Sequence, residues 1–353
     1  MSWIAISDGR RVLRTPDVGD VDRLLSVGTI ISEVAFSAED QTRQTVVRWS
    51  RDDKWQRDFH ISLGPLGDIL VEHRQAGAKS YAFMKFPKPD PGAELRITLS
   101  WHAPERLGLL TVENLATEDF TQKVYEKPHP WLKGDVAALI GNGTARQFDP
   151  SVTLFAVSDA IEPVGLARGF AAGTLVDTPN GQKPVEDLQA GDIVQTSEHG
   201  MQPIRRIASF EVPSAGRFAP IELTAPFFGL ENDLSVAPNH RLLVSGADAE
   251  YLFGTDEVLV EAHYLARMAA PLEPSRPATI RYVHVLMDAH VCLSVGGAWG
   301  ESLYLGNLAD DPKRLRTSPL ANVPPNELPR HTRIAGPQLK GYEAIVLVSA
   351  LCA

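Results

Sequence analysis

Hydrophobic and polar residues alternate along much of the first 160 residues of the chain. The alternation is clearest in residues 58–63 (DFHISL) and 94–101 (ELRITLSW), where every second residue is apolar. A β-strand points successive side chains to opposite faces, so a period of two places one face in a core and the other in water. We therefore predict strands in both segments, each buried on one face.

Turn-forming residues separate these strands at intervals typical of all-β domains. The turns fall at residues 64–68, 75–77, 87–92 and 104–108, which all contain Gly or Pro. Such spacing predicts an antiparallel β-sandwich over residues 1–160. Only residues 130–140 have a helical pattern, and Gly141 follows that segment as a glycine follows the end of a helix. The order of strands and turns resembles the meander of concanavalin-like and laminin-G-like sandwiches, which implies a lectin-like domain.

The polar segment 158–165, broken by Pro163 and Gly165, follows the predicted sandwich, and we place a domain boundary there. Residues 166–308 are again rich in short strands separated by turn residues, with one short helix predicted at 257–268. The Pro-rich residues 309–335 predict an exposed loop, and the apolar run 344–348 predicts a terminal strand. The predicted organisation is an all-β chain with a sandwich, a second β domain at 166–308 and a tail at 309–353.

The amino-acid composition argues against several classes of function. The chain has 353 residues and a net charge of −10, and no basic stripe interrupts its acidity. Nucleic acids and anionic membrane surfaces both require such a stripe, so we predict neither as a partner. Cys292 and Cys352 are the only cysteines, which excludes a disulfide-built fold and a four-cysteine metal site. With no long apolar run and no signal peptide pattern, we expect a soluble protein, cytoplasmic or exported without a cleaved signal.

Four blocks of the second domain resemble Hint domains, the self-processing modules shared by inteins and the C-terminal regions of Hedgehog proteins. The blocks occur in the expected order at residues 169–194, 236–243, 282–290 and 301–302. They begin with GFAAGTLVDTPNG and continue with VAPNHRLL, YVHVLMDAH and ES. Together they resemble the bacterial subfamily of Hint proteins, and they imply a Hint fold over residues 166–308.

The resemblance implies three chemical roles. In the family, a cysteine opens the domain and its thiolate attacks the preceding carbonyl to form a thioester. A histidine in a Thr-x-x-His block assists cleavage of the scissile amide, and an Asp or His of a later block assists breakdown of the intermediate. Carried over to this chain, the histidine is His240, and the later residues are Asp288 and His290.

This chain departs from the family at the reacting group. Gly169 occupies the position of the opening cysteine, and Ala237 occupies the position of the threonine in the Thr-x-x-His block. The nearest hydroxyl is that of Thr174, five positions late and inside the first predicted strand. A site without its nucleophile retains only a small part of its rate enhancement. We therefore predict a Hint fold that does not cleave itself by the thioester route.

Each candidate residue also has a purely structural interpretation. His240 could be a turn histidine beside Pro238, and Asp288 with His290 could form a structural ion pair. If residues 282–290 are one strand, Asp288 and His290 share a face with His284, whereas a turn at residues 287–289 would rearrange this cluster. Cys292 lies in an apolar run, which favours a buried small residue over a nucleophile. Two further patterns are weak. The spacing of His240, His263, His284 and His290 matches no zinc-ligand motif. Residues 142–144 match a glycosylation sequon, a motif of only three residues.

Three functional hypotheses remain from the sequence. The first is a degenerate Hint protein whose sandwich binds a ligand such as a glycan or a protein. The second is an active self-processing protein that uses Thr174, or water held by His240, to cut near Gly169. The third is a structural or surface protein without chemistry. No nucleotide-binding, zinc-protease or serine-hydrolase motif occurs, so we predict no cofactor and no metal.

Overall fold

The computed structural model describes residues 2–37, 42–141, 146–165, 168–226, 229–266 and 277–351. The chain divides into two compact units. The first unit comprises Met1–Val164 together with Ala215–Arg217, and the second comprises Gly165–Ser214 together with Phe218–Ala353. The structure therefore groups the predicted tail with the second unit.

The first unit is an antiparallel β-sandwich. Its strands are β1 (Trp3–Ser7), β2 (Val12–Arg14), β3 (Leu24–Leu25), β4 (Val27–Ala35), β5 (Gln44–Asp52), β6 (Gln56–Gly64), β7 (Asp68–Gln75), β8 (Ala78–Lys85), β9 (Glu94–His102), β10 (Leu107–Asn114), β11 (Phe120–Glu126), β12 (Trp131–Leu132), β13 (Arg146–Phe148) and β14 (Val152–Ser158). They form a seven-stranded sheet in the order β11-β10-β9-β4-β14-β1-β2, a five-stranded sheet in the order β13-β5-β6-β7-β8, and the pair β12-β3. Helix α1 (Lys133–Ile140) confirms the predicted helical segment.

Aromatic rings fill the core of this sandwich. Trp131 packs against Phe59, Trp49 and Trp101, with ring centroids 4.9, 5.9 and 6.4 Å away. All four side chains are at most 1% exposed. The alternating pattern in β6 supplies Phe59 to this core and keeps polar residues on the other side of the strand, as predicted.

The central strand β9 is buried on both faces, so the prediction that one of its faces meets water is wrong. Arg96, on the polar side of β9, is only 2% exposed. Its guanidinium donates to the Glu33 carboxylate on β4 at 2.8 Å, and the backbone N–H of Arg217 donates to the same carboxylate at 2.6 Å. Buried charges persist when they are paired and hydrogen-bonded, which explains how a polar strand face can leave the solvent.

The second unit is built from thirteen shorter strands and four α-helices among the described residues. The strands are β15 (Phe170–Ala171), β16 (Leu175–Thr178), β17 (Gly181–Pro184), β18 (Ile193–Thr196), β19 (Gly200–Pro203), β20 (Arg206–Pro213), β21 (Ile221–Leu223), β22 (Leu234–Val236), β23 (Arg241–Ser245), β24 (Glu257–Glu261), β25 (Thr279–Leu286), β26 (Cys292–Val295) and β27 (Ala298–Glu301). The helices are α2 (Ala247–Phe253), α3 (Ala262–Leu265), α4 (Pro312–Thr317) and α5 (Gly341–Leu351). None of these helices has the length and apolar character that crossing a bilayer requires.

Two sheets organise these strands. One follows the order β20-β25-β15-β22-β21, and the other contains β17-β16-β26-β27-β23-β24 with β18 and β19 joined at its side. Strand β25 ends at Leu286, so the prediction of one strand over residues 282–290 is wrong at its C-terminal end. The predicted helix at 257–268 is strand β24 followed by the short helix α3, and residues 267–268 lie outside the described residues.

The tail is neither an exposed loop nor a strand. Within residues 309–335, Leu315, Leu320, Val323 and Leu328 are buried in one hydrophobic cluster, so the exposed-loop prediction is wrong. The predicted terminal strand 344–348 lies in helix α5. A short apolar run fits a strand or a buried helix equally well, and here the buried positions follow a helical spacing.

We expect Leu347→Ala to lower the free energy of unfolding by about 2–4 kcal/mol, because it leaves a cavity under helix α5. Val346 is 48% exposed, so Val346→Ala should change that free energy by less than about 0.5 kcal/mol. Denaturant titration of the two variants measures both values. Equal losses for the two variants would contradict the helical placement of this segment.

Candidate functional site

Gly169 lies between two strands of the second unit. It precedes β15, whose Phe170 pairs with Val236 of β22 on one side and with Val283 of β25 on the other. The Gly169 carbonyl accepts a hydrogen bond from the backbone N–H of Ala237 at 3.0 Å. Its φ is +131°, a conformation that side-chain-bearing residues rarely adopt. The position of the family's nucleophile is therefore held by backbone pairing on both sides.

His240 is brought to Gly169 by the turn that follows β22. Its backbone N–H donates to the Ala237 carbonyl at 2.9 Å, and its ring packs on Phe170 with a centroid distance of 4.4 Å. The ring is buried, and its Nδ1 accepts the backbone N–H of Gly169 at 3.3 Å. The structure thus places His240 beside Gly169, and its chemical role stays a prediction.

Burial lowers the pKa of His240 to about 4, and the charges of Arg168 and Arg241 act in the same direction against the opposing charge of Glu301. The ring is therefore neutral near pH 7. Because Nδ1 accepts a hydrogen bond, the proton of the neutral ring is on Nε2. Among the described residues, this buried Nε2 has no hydrogen-bond partner.

Glu301, at the end of β27, is the charged centre of the site. It is 2% exposed, and one of its oxygens accepts the backbone N–H of Arg241 at 3.0 Å. The Arg241 guanidinium lies 3.4 Å from the carboxylate, the Arg168 guanidinium 3.8 Å and the His290 Nε2 3.3 Å. Burial by itself raises the pKa of Glu301, but Arg168, the His290 hydrogen bond and Arg241 outweigh it and hold the pKa at about 2.

His290 is fixed on its other side by the tail. The backbone N–H of Ala335 donates to His290 Nδ1 at 2.9 Å, so the ring proton is on Nε2 and faces Glu301. The neighbouring His331 is held in the same way, since its ring bridges the Met287 carbonyl at 3.1 Å and the Leu305 N–H at 3.3 Å. The tail thus supplies hydrogen bonds to this buried polar group.

Asp288 does not join the buried group. Because β25 ends at Leu286, the chain turns and leaves the Asp288 side chain 72% exposed, in an ion pair with Arg205 at 2.5 Å. The cluster that one strand over residues 282–290 would form is therefore absent, and the alternative, in which the chain turns at residues 287–289, describes Asp288. The same turn points His290 inward and Asp288 into solvent.

Thr174 is the hydroxyl closest in sequence to the expected cleavage point. It is 6% exposed, and its Oγ1 donates to the Ser235 carbonyl at 3.2 Å. Its own backbone N–H bonds to the Ala171 carbonyl at 3.1 Å. These contacts give the hydroxyl a structural partner inside the fold.

The remaining histidines make other contacts. His263 contacts the Pro238 carbonyl at 3.2 Å. His284 stacks on Phe210 at 5.1 Å between ring centroids, and its Cε1 lies 3.5 Å from the position that a Cβ on Gly169 would take. In the part of the chain that the structure describes, no three His, Cys, Asp or Glu side chains converge as a metal site. Cys292 is a free, buried thiol whose pKa is raised by burial. Cys352 and the sequon 142–144 lie outside the described residues.

The sequence analysis assigned no role to three of the charged residues at this site. They are Arg168, Arg241 and Glu301. Glu301 was part of a family-like block, and an acidic residue directly after an apolar strand is a signal that could have singled it out. The contact of Ala335 with His290 joins residues 45 positions apart and leaves no sequence signal.

Comparison with known proteins assigns the second unit. The family model of the Hint domain matches residues 168–307. A search of curated proteins found no match. The segment that contains Gly169, His240, His290 and Glu301 is thus the segment that the family model covers.

Solved structures with some likeness to the chain include carbohydrate-related proteins. The CBM40 domain of the Ruminococcus gnavus IT-sialidase bound to α2,3-sialyllactose is 15% identical with a TM-score of 0.31, covering 45% of this chain and 87% of that chain. Sheep galectin-11 in complex with glycerol is 7% identical with a TM-score of 0.23, covering 38% and 82%. The leech intramolecular trans-sialidase is 13% identical with a TM-score of 0.25, covering 44% and 28%.

TM-scores this low support no conclusion about what this chain binds. The assignment therefore rests on the family model and on the ordered sequence blocks. Residues 168–307 belong to the Hint domain family.

Proposed function

We propose that the Hint domain of this chain is a folded module that does not cut itself, and that the sandwich performs recognition with a glycan as its ligand. One observation carries the first part of the proposal. The nucleophile position is Gly169, and its backbone N–H is hydrogen-bonded to His240.

The thioester route needs a thiolate at the cleavage point. A Cβ built on Gly169 would lie 3.1 Å from the Val283 carbonyl oxygen, 3.4 Å from Tyr282 Cβ and 3.5 Å from His284 Cε1. The backbone there is in a glycine conformation, so a side chain of any kind requires the backbone to move. Cys292 offers no substitute, because burial raises its pKa and so disfavours the thiolate.

The charged residues of the site are poorly suited to proton transfer. A general acid or base works best when its pKa is near the working pH. Glu301 has a pKa of about 2, and its carboxylate is engaged by Arg168, Arg241 and His290. His240 is neutral, with its acceptor nitrogen occupied by Gly169. Sites without a nucleophile retain about 10³–10⁴-fold rate enhancement over water, and enzymes typically need about 10⁶-fold or more.

Self-processing through Thr174 or through water is the competing function. The Thr174 hydroxyl already donates to the Ser235 carbonyl, so its use as a nucleophile requires that bond to break. Water activated by His240 would have to displace the Gly169 N–H from Nδ1 or use the protonated Nε2. The Thr174 and Nδ1 routes begin with the loss of a contact that supports the fold, and the protonated Nε2 has no lone pair to accept a proton from water.

The glycan part of the proposal rests on the polar face of the five-stranded sheet. Strands β5 to β8 alternate between buried apolar residues and outward polar residues over most of their length. A surface for sugars needs hydrogen-bonding side chains near an exposed aromatic ring. Tyr81, 62% exposed on β8, provides that ring.

We expect the purified full-length chain to keep its intact mass during long incubation at neutral pH, with or without dithiothreitol. We expect the same of Gly169→Cys/Ala237→Thr, because Asp288 lies outside the buried group and the backbone at 169 disfavours a side chain. Mass spectrometry after incubation is the measurement.

Gly169→Ala/Ala237→Thr is the matched control, since it imposes the same backbone strain without a thiol. Circular dichroism of both variants establishes that they remain folded. Release of a fragment ending at Arg168 from the wild-type chain would overturn the proposal. Thiol-dependent release from the cysteine variant alone would show that only the nucleophile is missing.

The depressed pKa of His240 predicts how stability changes with pH. Between pH 6.5 and about 4 the unfolded chain binds a proton on this histidine and the folded chain does not, so stability falls as the pH falls. The contribution of this single residue is about 3 kcal/mol across that range.

His240→Asn keeps an acceptor near the Nδ1 position, and we expect it to remove this share of the pH dependence. Denaturant titration at several pH values measures it, with His199→Asn as the exposed control. Parallel curves for the wild type and His240→Asn would contradict the assignment.

A further inference from the structure

The outward face of the five-stranded sheet is a compact arrangement of charged and aromatic side chains. His60 on β6 is directly opposite Arg48 on β5 and Glu72 on β7, and Glu72 is opposite Tyr81 on β8. The residues between them, such as Phe59 and Val71, point into the core. Four neighbouring strands thus contribute one continuous row of side chains to this face.

Glu72 is the centre of this row. Its carboxylate accepts a hydrogen bond from Lys79 at 2.5 Å, lies 3.6 Å from the Arg74 guanidinium and 3.9 Å from the His60 ring. Its side chain is 20% exposed, so it is held by its neighbours and still reachable from solvent. A fixed carboxylate beside fixed cations matches sugar hydroxyls, because each hydroxyl both donates and accepts hydrogen bonds.

Tyr81 adds an exposed aromatic surface to the same row. Its ring lies next to Glu72 across the strands, and the Lys79 ammonium is 5.8 Å from the ring centroid. Phe83, two positions along the same strand, is 38% exposed on the same side. Exposed aromatic rings rimmed by polar groups mark binding surfaces, and a flat ring suits the apolar face of a pyranose.

The charge of the face selects the kind of sugar. Arg48 is exposed and has no ion-pair partner among the described residues. Arg74, Lys79 and Lys85 share this face with the carboxylates of Asp52, Asp58, Asp68 and Glu72, and Arg74 and Lys79 already contact Glu72. Arg48 thus offers a cation with which an anionic group of a ligand can pair.

We propose that this face binds an acidic oligosaccharide, with a sugar ring on Tyr81, hydroxyls on Glu72 and Lys79, and a carboxylate or sulfate group on Arg48. The inference rests on the proposed glycan function of the sandwich and names its site and ligand class. A nucleic acid fits the face less well, because its repeated phosphates need a basic stripe, and the carboxylates of Asp58 and Glu72 interrupt the cations here. An extended acidic peptide lacks the flat polyhydroxylated ring that Tyr81 and Glu72 together accommodate.

The test uses the full chain on an array of neutral, sialylated, uronate-containing and sulfated oligosaccharides, with polyglutamate as a peptide probe. We expect binding to acidic oligosaccharides in preference to neutral ones. For the best acidic oligosaccharide, Tyr81→Ala should weaken binding about tenfold, the share expected for one stacked ring. Arg48→Gln should remove the preference for acidic over neutral oligosaccharides. Tyr251→Ala and Arg11→Gln are matched controls at exposed positions, and both should bind as the wild type does.

The outcomes separate this inference from the proposed function. If neither Tyr81→Ala nor Arg48→Gln changes glycan binding, the proposed glycan function stands and the proposed site is wrong. Absence of binding to every oligosaccharide overturns both. Binding of polyglutamate that competes at Tyr81 and Arg48, without oligosaccharide binding, assigns the face to an acidic peptide and overturns the inference. Unfolding curves of the variants establish that each loss belongs to binding and not to folding.

Discussion

The buried carboxylate of Glu301 is the interaction on which the arrangement of the Hint domain depends. An ionised carboxylate removed from water is stable only if its charge and hydrogen-bonding capacity are met by neighbours. Arg168 comes from the start of the domain, Arg241 from the first residue of β23, and His290 from the turn after β25. One carboxylate therefore ties together three segments that are far apart in sequence. The tail strengthens the same group through the Ala335 hydrogen bond to His290.

In the proposed function, this arrangement holds the Hint fold together without a nucleophile at position 169. His240, whose counterpart in the family assists cleavage, here accepts the Gly169 N–H and packs on Phe170. Gly300 leaves room for the rings of His240 and Phe170, because a Cβ at position 300 would lie 3.1 Å from His240 Nε2 and closer still to the Phe170 ring. In the proposed function the former centre of chemistry is a polar core, and its members are retained because each one completes the hydrogen bonds of another.

The sequence predicted the architecture well where the signal was local. The period-two segment in β6, the helix within residues 130–140 and the ordered Hint blocks all have their expected places. The predictions failed where long-range contacts decided the outcome. The apolar run 344–348 became part of a helix because Ala344, Leu347 and Val348 pack on the core together. Asp288 left the predicted site because the strand ends two residues earlier, and a one-residue change in phase reverses the direction of a side chain.

In the proposed function, Glu301 is a structural charge whose loss destabilises the domain and leaves the polypeptide uncut. Glu301→Gln keeps the shape of the side chain and removes the negative charge that faces Arg168, Arg241 and His290. The free energy of unfolding by denaturant is measured together with the intact mass of the same sample. We expect a loss of about 3–5 kcal/mol with an unchanged mass. A loss below about 1 kcal/mol, the range of exposed ion pairs, would contradict it.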